Sequence, residues 1–554
     1  MPLVSADFLD QEFDVCVVGA GPAGLSCAFA CHEQGLRVLL LEAGNKHPVP
    51  GSPDVIAAEI EHPDAHDPVE IVAASALGGS SHWWGGRSTP LDVVDFRDWP
   101  ISWTEMLPWW RYAAKLIGAG SILHQPAPGK FGGLDKFEVT ACESWASNRI
   151  LARRWRKRIH AKQGPAIVLR ARVTNLRYHD GSITSIDVET PAGSKTVTAS
   201  HFVLTCGGLG CVRLLLNAQQ SNPSLFGGPD GPLGRGYMGH LTGSIAEIVF
   251  DSPENAEAFN FYKANDGYVA RRRILPTAET VTNEDICNIA LWLDQPARGV
   301  ASHGSAVASA RFLAGYGLRV VAGKLGKASR ASLRPHFANV GKAPLAAIAG
   351  LIEAAWVLTS ARLWGARNFP CRFLPTGIGA WRLVYHAEQK SRASNRLSLA
   401  KTTDSAGLPK LHIDFCYSQD DCSAVVRAHE LLDEDLRKAG AGLLRWSSVD
   451  PKSVVMDWAR DGYHQLGGTR MSEDPASGVV DKHCRVHGLG NLWIASGSVF
   501  PSGGQANPTL TIIALAIRVA DQIGSLRRSK AKPATQQPSF FTRQRVAHAA
   551  RAGQ

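Results

Sequence analysis

Phe13-Asp-Val-Cys-Val-Val-Gly19-Ala20-Gly21-Pro22-Ala23-Gly24 is followed, one helix length later, by Leu41-Glu42-Ala43-Gly44. Residues 13–18 are almost uninterruptedly apolar, as in a strand buried on both faces. Residues 22–34 read as a helix and Val38–Glu42 as a second strand, which makes a β-α-β unit of about 30 residues. In that setting the G-x-G-x-x-G spacing has a physical meaning. Gly19 allows a tight turn, Gly21 lets the backbone meet a pyrophosphate, and Gly24 lets the helix lie close to the sheet. The helix start adds free N–H groups and the positive end of its dipole. Glu42 is placed to accept hydrogen bonds from ribose hydroxyls. The stretch therefore predicts a dinucleotide-binding crossover, with FAD or NAD as occupant on this motif alone. A crossover without a ligand is the alternative that the context argues against.

Near the other end lie Tyr463-His464-Gln465-Leu466-Gly467-Gly468-Thr469-Arg470-Met471, then Ser496-Gly497-Ser498-Val499-Phe500-Pro501, then Ala506-Asn507-Pro508-Thr509-Leu510. Proline suits the first position of a helix, because its fixed φ is helical and its missing N–H is not needed there. Asn507 is then the N-cap or its neighbour, and the helix end favours negative charge in front of it. His464 precedes two glycines that let its neighbours approach a planar ring. Imidazole titrates near neutral pH, so His464 suits the removal of a hydroxyl proton. The chain has 19 histidines, so placement rather than residue type singles this one out.

These segments, with Leu77-Gly-Gly-Ser-Ser-His-Trp-Trp-Gly-Gly86 and Gly234-Arg-Gly-Tyr-Met-Gly-His240, resemble the glucose–methanol–choline (GMC) family of flavin oxidoreductases. The resemblance implies an α/β protein. It would have a Rossmann-like FAD-binding domain, a parallel sheet with a β-meander, and a substrate domain with a mixed or antiparallel sheet and helices. It implies FAD as cofactor and oxidation of an alcohol to the carbonyl, with hydride passing to flavin N5. His464 would be the base and Asn507 would orient the substrate oxygen. An asparagine in the second place resembles the pyranose oxidase and bacterial sugar or polyol dehydrogenase branch, which implies a sugar, glycoside or polyol as substrate. The implied cofactor-binding set is Gly19, Ala20, Gly21, Pro22, Ala23, Gly24, Glu42, Ala43, Gly79, Ser80, His82, Trp84, Gly85, Gly86, Val173, Cys206, Gly207, Gly497, Ser498, Asn507, Pro508 and Thr509. Pyranose oxidases carry a covalent flavin link on the histidine of a Ser-Thr-His-Trp run. Here Ser80-Ser81-His82-Trp83 is similar but one residue closer to its Gly-Gly, so His82 either carries such a link or only contacts the ring. No metal-ligand set is implied.

The rest of the chain sets boundaries. Its 554 residues carry a net charge of +10. A basic chain invites a nucleic-acid reading, but here the charge is concentrated. Residues 311–372 hold ten Lys and Arg against the single acid Glu353, and a basic tail adds Arg527, Arg528, Lys530 and others. Nucleic acid is therefore rejected as a partner. Eleven cysteines show no C-x-x-C pair, haem motif or iron–sulfur run, which reads as reduced thiols in a cytoplasmic protein. The start, Met1-Pro-Leu-Val-Ser-Ala-Asp7, has no signal-peptide pattern. The apolar run Ala343–Leu358 contains Glu353 and is short for a membrane span.

Residues 45–75 read as loop and Trp103–Gly118 as a helix. Ala166–Leu169, Val173–Tyr178, Ile183–Glu189 and Lys195–Ala199 read as a meander returning to the strand His201–Cys206, with a helix from Leu209 to Ala218. Stretches in 240–300 and 373–415 alternate as strands of a second, mixed sheet. Residues 303–370 are largely helical, as are Asp420–Lys438 and Thr509–Leu526. The expected organisation is an FAD-binding domain from 1–245 and 450–526, with 45–75 and 111–165 as loop or cover segments. A substrate domain follows from 246–449, and 527–554 is a basic, disordered tail.

The basic insert 303–370 has two readings. One is a docking arm for an anionic membrane or an acidic redox protein. The other, which composition favours, is a cover over the site or a subunit contact. The expected partners are a small-molecule alcohol and an electron acceptor: dioxygen, a quinone or a redox protein. Two rival functions are a flavin-binding lyase without net redox and a membrane-surface or partner-coupled dehydrogenase acting on a non-sugar alcohol. Sequence leaves the oligomeric state unread.

Overall fold

The computed structural model describes residues 3–49, 56–121, 131–294, 301–321, 333–363 and 380–531, apart from 132, 140, 141, 147–149, 162, 253, 254, 257, 260, 265–267, 302 and 303. A five-stranded sheet organises the first layer, in the order Leu492–Ile494, Ala199–Leu204, Phe13–Val18, Val38–Glu42, Ala166–Leu169, and all its pairings are parallel. Phe13–Val18 is central and buried, as its apolar run requires. Val18 sits in register with Leu41 on one side and Leu204 on the other, and Leu204 with Ile494. Four chain segments thus leave the sheet at the same edge, the carboxyl end where open α/β sheets bind ligands. Helix Pro22–Glu33 makes the crossover between the first two strands.

The long terminal helix Thr509–Ala531 packs against Pro22–Glu33 and Trp103–Ile117. Gln34 Nε2 donates to the Ala520 carbonyl at 2.9 Å. By length and composition Thr509–Ser529 is apolar enough to cross a membrane, but most of it is buried inside the molecule, so its apolar character is spent on the core. The sequence put residue 527 outside this helix. The helix instead continues through Ala531, with Arg527 donating to the Gly35 carbonyl at 2.7 Å and Arg528 to Gln34 Oε1 at 2.9 Å. The rest of the expected tail, 532–554, lies outside the described residues.

Three further expectations change in detail. Ala166–Leu169 is the edge of the parallel sheet, so the meander contains only Arg172–His179, Ser182–Thr190 and Gly193–Val197. The alternating stretches divide among four sheets, two of them small ones in which Tyr262–Lys263 with Val269–Arg272, and Leu275–Pro276, pair with strands from 87–145. His240–Phe250, Ile289–Asp294 and Ala380–Glu388 join Gly442–Trp446 in a four-stranded antiparallel sheet, against which helix Gln419–Lys438 packs. Arg396–Thr403 and Pro409–Asp414 form a hairpin, and Ala58–Ile60 adds to it in parallel. The segment read as loop therefore contains a strand. Three residues are too few to show a period, and the partner strand lies far along the chain. Part of that segment, 50–55, and part of the expected sheet, 373–379, lie outside the described residues. The basic insert shows helices Ala306–Val321, Arg334–Lys342 and Pro344–Leu363.

Candidate active site

The sheet's carboxyl edge opens into a cavity of about 600 Å³. Both ends of the chain face it: Gly19, Gly21, Pro22, Ala23, Glu42 and Ala43 from the first motif, and His464, Gly497, Asn507, Pro508 and Thr509 from the last. Gly79, Ser80, Trp84 and Gly85 line it from the glycine-rich loop, with Val173, Cys206 and Gly207 from the strands between.

Five of the residues singled out from sequence do not line the cavity: Ala20, Gly24, His82, Gly86 and Ser498. Four of them shape its walls. The Ala20 N–H donates to Glu42 Oε2 at 2.8 Å. A Cβ on Gly24 would meet the Gly19 carbonyl oxygen at 1.8 Å. The Gly86 carbonyl accepts from the Ala146 N–H, and Ser498 Oγ accepts from Thr469 Oγ1 at 2.6 Å. His82 is tied to its own loop: Nε2 bonds the Leu77 carbonyl at 3.2 Å, and the ring meets Trp83 edge-on. Burial lowers its pKa, and that carbonyl bond only partly offsets the effect.

Gly19 has φ +100°, and a Cβ there would lie 2.6 Å from the Cys206 Cα, so the turn and the strand beside it both demand glycine. Glu42 ties the two strand ends together, because Oε1 also accepts from the Gly44 N–H at 2.9 Å. That is a second task besides the ribose contact expected of it.

His464 is held from three sides. Met238 and Leu466 exchange backbone hydrogen bonds of 2.8 and 3.1 Å, Gly467 N–H donates to the Gly497 carbonyl, and Thr469 N–H donates to the Ser498 carbonyl. The carbonyl of Gln465 sits between Gly208 and Gly497, where a Cβ would meet it at 2.5 and 2.6 Å. His464 Nδ1 donates to Asp461 Oδ2 at 3.1 Å, and Asn507 Nδ2 donates to His464 Nε2 at 3.0 Å. In the neutral imidazole these partners place the proton on Nδ1 and the lone pair on Nε2. Asn507 stands two residues before the start of the helix at Thr509, and its amide nitrogen faces His464.

Asp461 was missed by the sequence reading, although it stands three residues before His464. Its buried carboxylate accepts from the N–H groups of His240, Gly462 and Tyr463 at 2.7–2.9 Å, and more distantly from that of His464. Burial alone would raise its pKa. The neighbouring His464 and His240 and the donated hydrogen bonds outweigh burial and hold it far below the usual carboxylate range.

Two more imidazoles lie behind His464. His240 and His386 stack with centroids 4.2 Å apart and planes 22° from parallel, and His464 stands nearly perpendicular to both. His240 Nε2 bonds the Gly504 carbonyl at 3.0 Å and His386 Nδ1 the Gln505 carbonyl at 2.7 Å. Burial, then the positive charge that gathers on neighbouring imidazoles, lowers both pKa values, His386 to about 3. Nitrogens of all three rings lie within 4.8 Å of one another, a spacing that invites a metal reading. Stacked rings aim their in-plane lone pairs side by side, however, and not at one point. No sequence motif marked His386, since only the antiparallel sheet delivers it.

The cavity fits a dinucleotide bearing a ring system. Gly21 would accept a Cβ with nothing nearer than 3.9 Å, so its backbone stays open to a ligand. Helix Pro22–Glu33 starts there with no side-chain cap. Trp84 Nε1 and Asn217 Oδ1 are buried without a hydrogen-bond partner among the described residues.

Residues 14–272 match the family model of FAD dependent oxidoreductases, and residues 391–516 match that of the GMC oxidoreductases. The chain thus carries an FAD dependent oxidoreductase domain followed by a GMC oxidoreductase domain. It uses FAD and acts on CH–OH groups. The chain is 23% identical to the 2-methyl-1,2-propanediol dehydrogenase of Mycolicibacterium austroafricanum, covering 93% of the chain and 95% of the relative. It is 24% identical to the 6'''-hydroxyparomomycin C oxidase of Streptomyces lividus, over 93% and 92%. Among solved structures, pyridoxine 4-oxidase from Mesorbium loti shares the fold with a TM-score of 0.53 and 19% identity, over 92% of this chain and 98% of that one. A fungal aryl-alcohol oxidase shares it with a TM-score of 0.54 and 16% identity, over 94% and 100%.

Proposed function

We propose that this enzyme oxidises a hydroxyl of a sugar, glycoside or other polyol, with His464 as base and Asn507 as the group that positions the reacting oxygen. The carrying observation is the chain Asp461–His464–Asn507, joined by bonds of 3.1 and 3.0 Å at the edge of the cavity. FAD, when bound, supplies the acceptor for the hydride that leaves the alcohol carbon. The protein's own part is the proton. Nε2 holds the lone pair that takes it from the hydroxyl, and the Asp461 carboxylate balances the imidazolium that results. Asn507 leaves Nε2 for the substrate oxygen and orients it by its amide. The polyol reading draws on the two relatives matched along nearly their whole length, a propanediol dehydrogenase and an aminoglycoside oxidase. The acceptor is dioxygen, a quinone or a redox protein.

The chain divides into a cofactor-binding unit, 1–245 with 450–526, and a substrate unit, 246–449. Support comes from the parallel sheet, which draws its strands from 13–204 and 492–494. FAD is held without a covalent bond to His82, because Nε2 of that side chain is engaged by the Leu77 carbonyl outside the cavity lining. Acid precipitation is expected to leave the yellow colour in the supernatant; a yellow pellet would show a covalent link.

The functional test is anaerobic mixing of the holoenzyme with diols, sugars, glycosides and aromatic alcohols, followed by admission of dioxygen or a quinone. Polyols should bleach the bound flavin fastest. If no alcohol bleaches it, oxidation by this site is wrong; if only aromatic alcohols do, the substrate class is wrong.

A further inference from the structure

The helices Ala306–Val321, Arg334–Lys342 and Pro344–Leu363 pack chiefly on one another. Ser309, His336 and Asn339 form a small buried polar knot between the first two. The third is attached through Ala347, which packs with Ala306 and Ala310, and through Gly350, where a Cβ would strike Val307. Only those two positions of 344–352 are buried, yet that stretch, Pro-Leu-Ala-Ala-Ile-Ala-Gly-Leu-Ile, has no polar side chain. Leu345 is 81% exposed and Ile352 65%, with Ile348 and Leu351 beside them and Phe337 exposed on the neighbouring helix. A helix apolar all round belongs in a protein core or in lipid, and a soluble monomer rarely presents so many large apolar side chains together.

Charge selects the occupant. Ten Lys and Arg against one acid lie between 311 and 372, and exposed Arg334 and Lys342 bound the helix next to the apolar face. A second copy seated on this face would set Arg334 and Lys342 against their own counterparts. An anionic lipid surface offers both an apolar layer and opposite charge.

We propose that the exposed apolar face of residues 345–352 in helix Pro344–Leu363, bounded by Arg334 and Lys342, docks the enzyme on an anionic membrane surface. Leu345, Ile348 and Ile352 enter the headgroup–acyl boundary, and the basic side chains meet lipid phosphates. The site chemistry is independent of this contact.

The test is flotation of the full-length holoenzyme with phosphatidylcholine vesicles, with and without phosphatidylglycerol, at low and high salt. Binding to the anionic vesicles should exceed binding to neutral ones at least tenfold and weaken as salt rises. The triple substitution Leu345→Ser, Ile348→Ser, Ile352→Ser should abolish flotation while flavin content and alcohol oxidation in solution stay unchanged. Absence of flotation, flotation indifferent to phosphatidylglycerol, or flotation retained by the triple variant would overturn the proposal. So would a dimer in sedimentation that the triple substitution dissolves, since a second copy would then be the occupant.

Discussion

At His464 two neighbours of different chemistry fix one tautomer: a carboxylate on Nδ1 and an amide N–H on Nε2. Replacing His464 by Ala should slow anaerobic flavin reduction by about 10²–10⁴, the usual worth of a positioned base, with the melting temperature nearly unchanged. A reduction rate within a few-fold of the native enzyme in stopped flow would remove His464 from this role. Asp461→Asn keeps the volume but loses the charge that balances the imidazolium, and it turns an amide toward several N–H donors. The same step should fall by about 10² or more; intact kinetics in a folded variant would leave Asp461 with structural duty alone. His464 and Asn507 were legible because glycines and a proline frame them. Asp461 was legible in principle from its position three residues upstream. His240 and His386 were not, since a buried neutral histidine in a strand looks like any other core residue until its partners are seen.

At the scale of elements, the candidate site is a clamp of short segments. The 461–471 segment lies between 236–240 and 497–499, with the Gln465 carbonyl held between two glycines. Gly497→Ala would push that carbonyl aside and displace the neighbouring His464. We expect weaker FAD retention on gel filtration and alcohol oxidation reduced at least tenfold, the order of loss that misplacing a catalytic group brings. Full flavin content with native activity would show that the clamp can give. Strong periodic elements such as Gln419–Lys438, whose Ser418 cap carries a capping box with Asp421, were read from sequence almost to the residue. Ala58–Ile60 was not, because a three-residue strand is defined by the hairpin it joins.

At the scale of the whole molecule, stability should depend on pH through buried histidines. Burial lowers the pKa of His240 and His386, and that of His429 to about 4, from ordinary values near 6.5. Between those values the unfolded chain binds more protons than the folded one, so stability falls as pH drops below about 6.5. Two buried acids oppose this. Desolvation raises the pKa of Asp95 and Glu388, so the folded state holds protons that the unfolded state releases. Each histidine not offset by an acid contributes a loss of up to about 1.4 kcal/mol per pH unit toward acid. His66, His82 and His483, also lowered by burial, act in the same direction. Urea midpoints between about pH 4.5 and 6.5 measure the slope. His429→Phe, remote from the cavity, removes one titrating group and should flatten the slope; an unaltered slope would contradict the assignment.

The sequence alone determined the β-α-β crossover with its glycine turn and the long helices, and it singled out His464 and Asn507 as candidates, because each rests on local spacing and backbone chemistry. Tertiary structure decided which distant segments meet. Leu492–Ile494 joins Ala199–Leu204 in one sheet, and that pairing carries Gly497 to the cavity that Gly19 lines. Pairing also decides that His240 and His386 stack behind His464. Such contacts depend on strand register and helix packing across hundreds of residues, which no local pattern encodes.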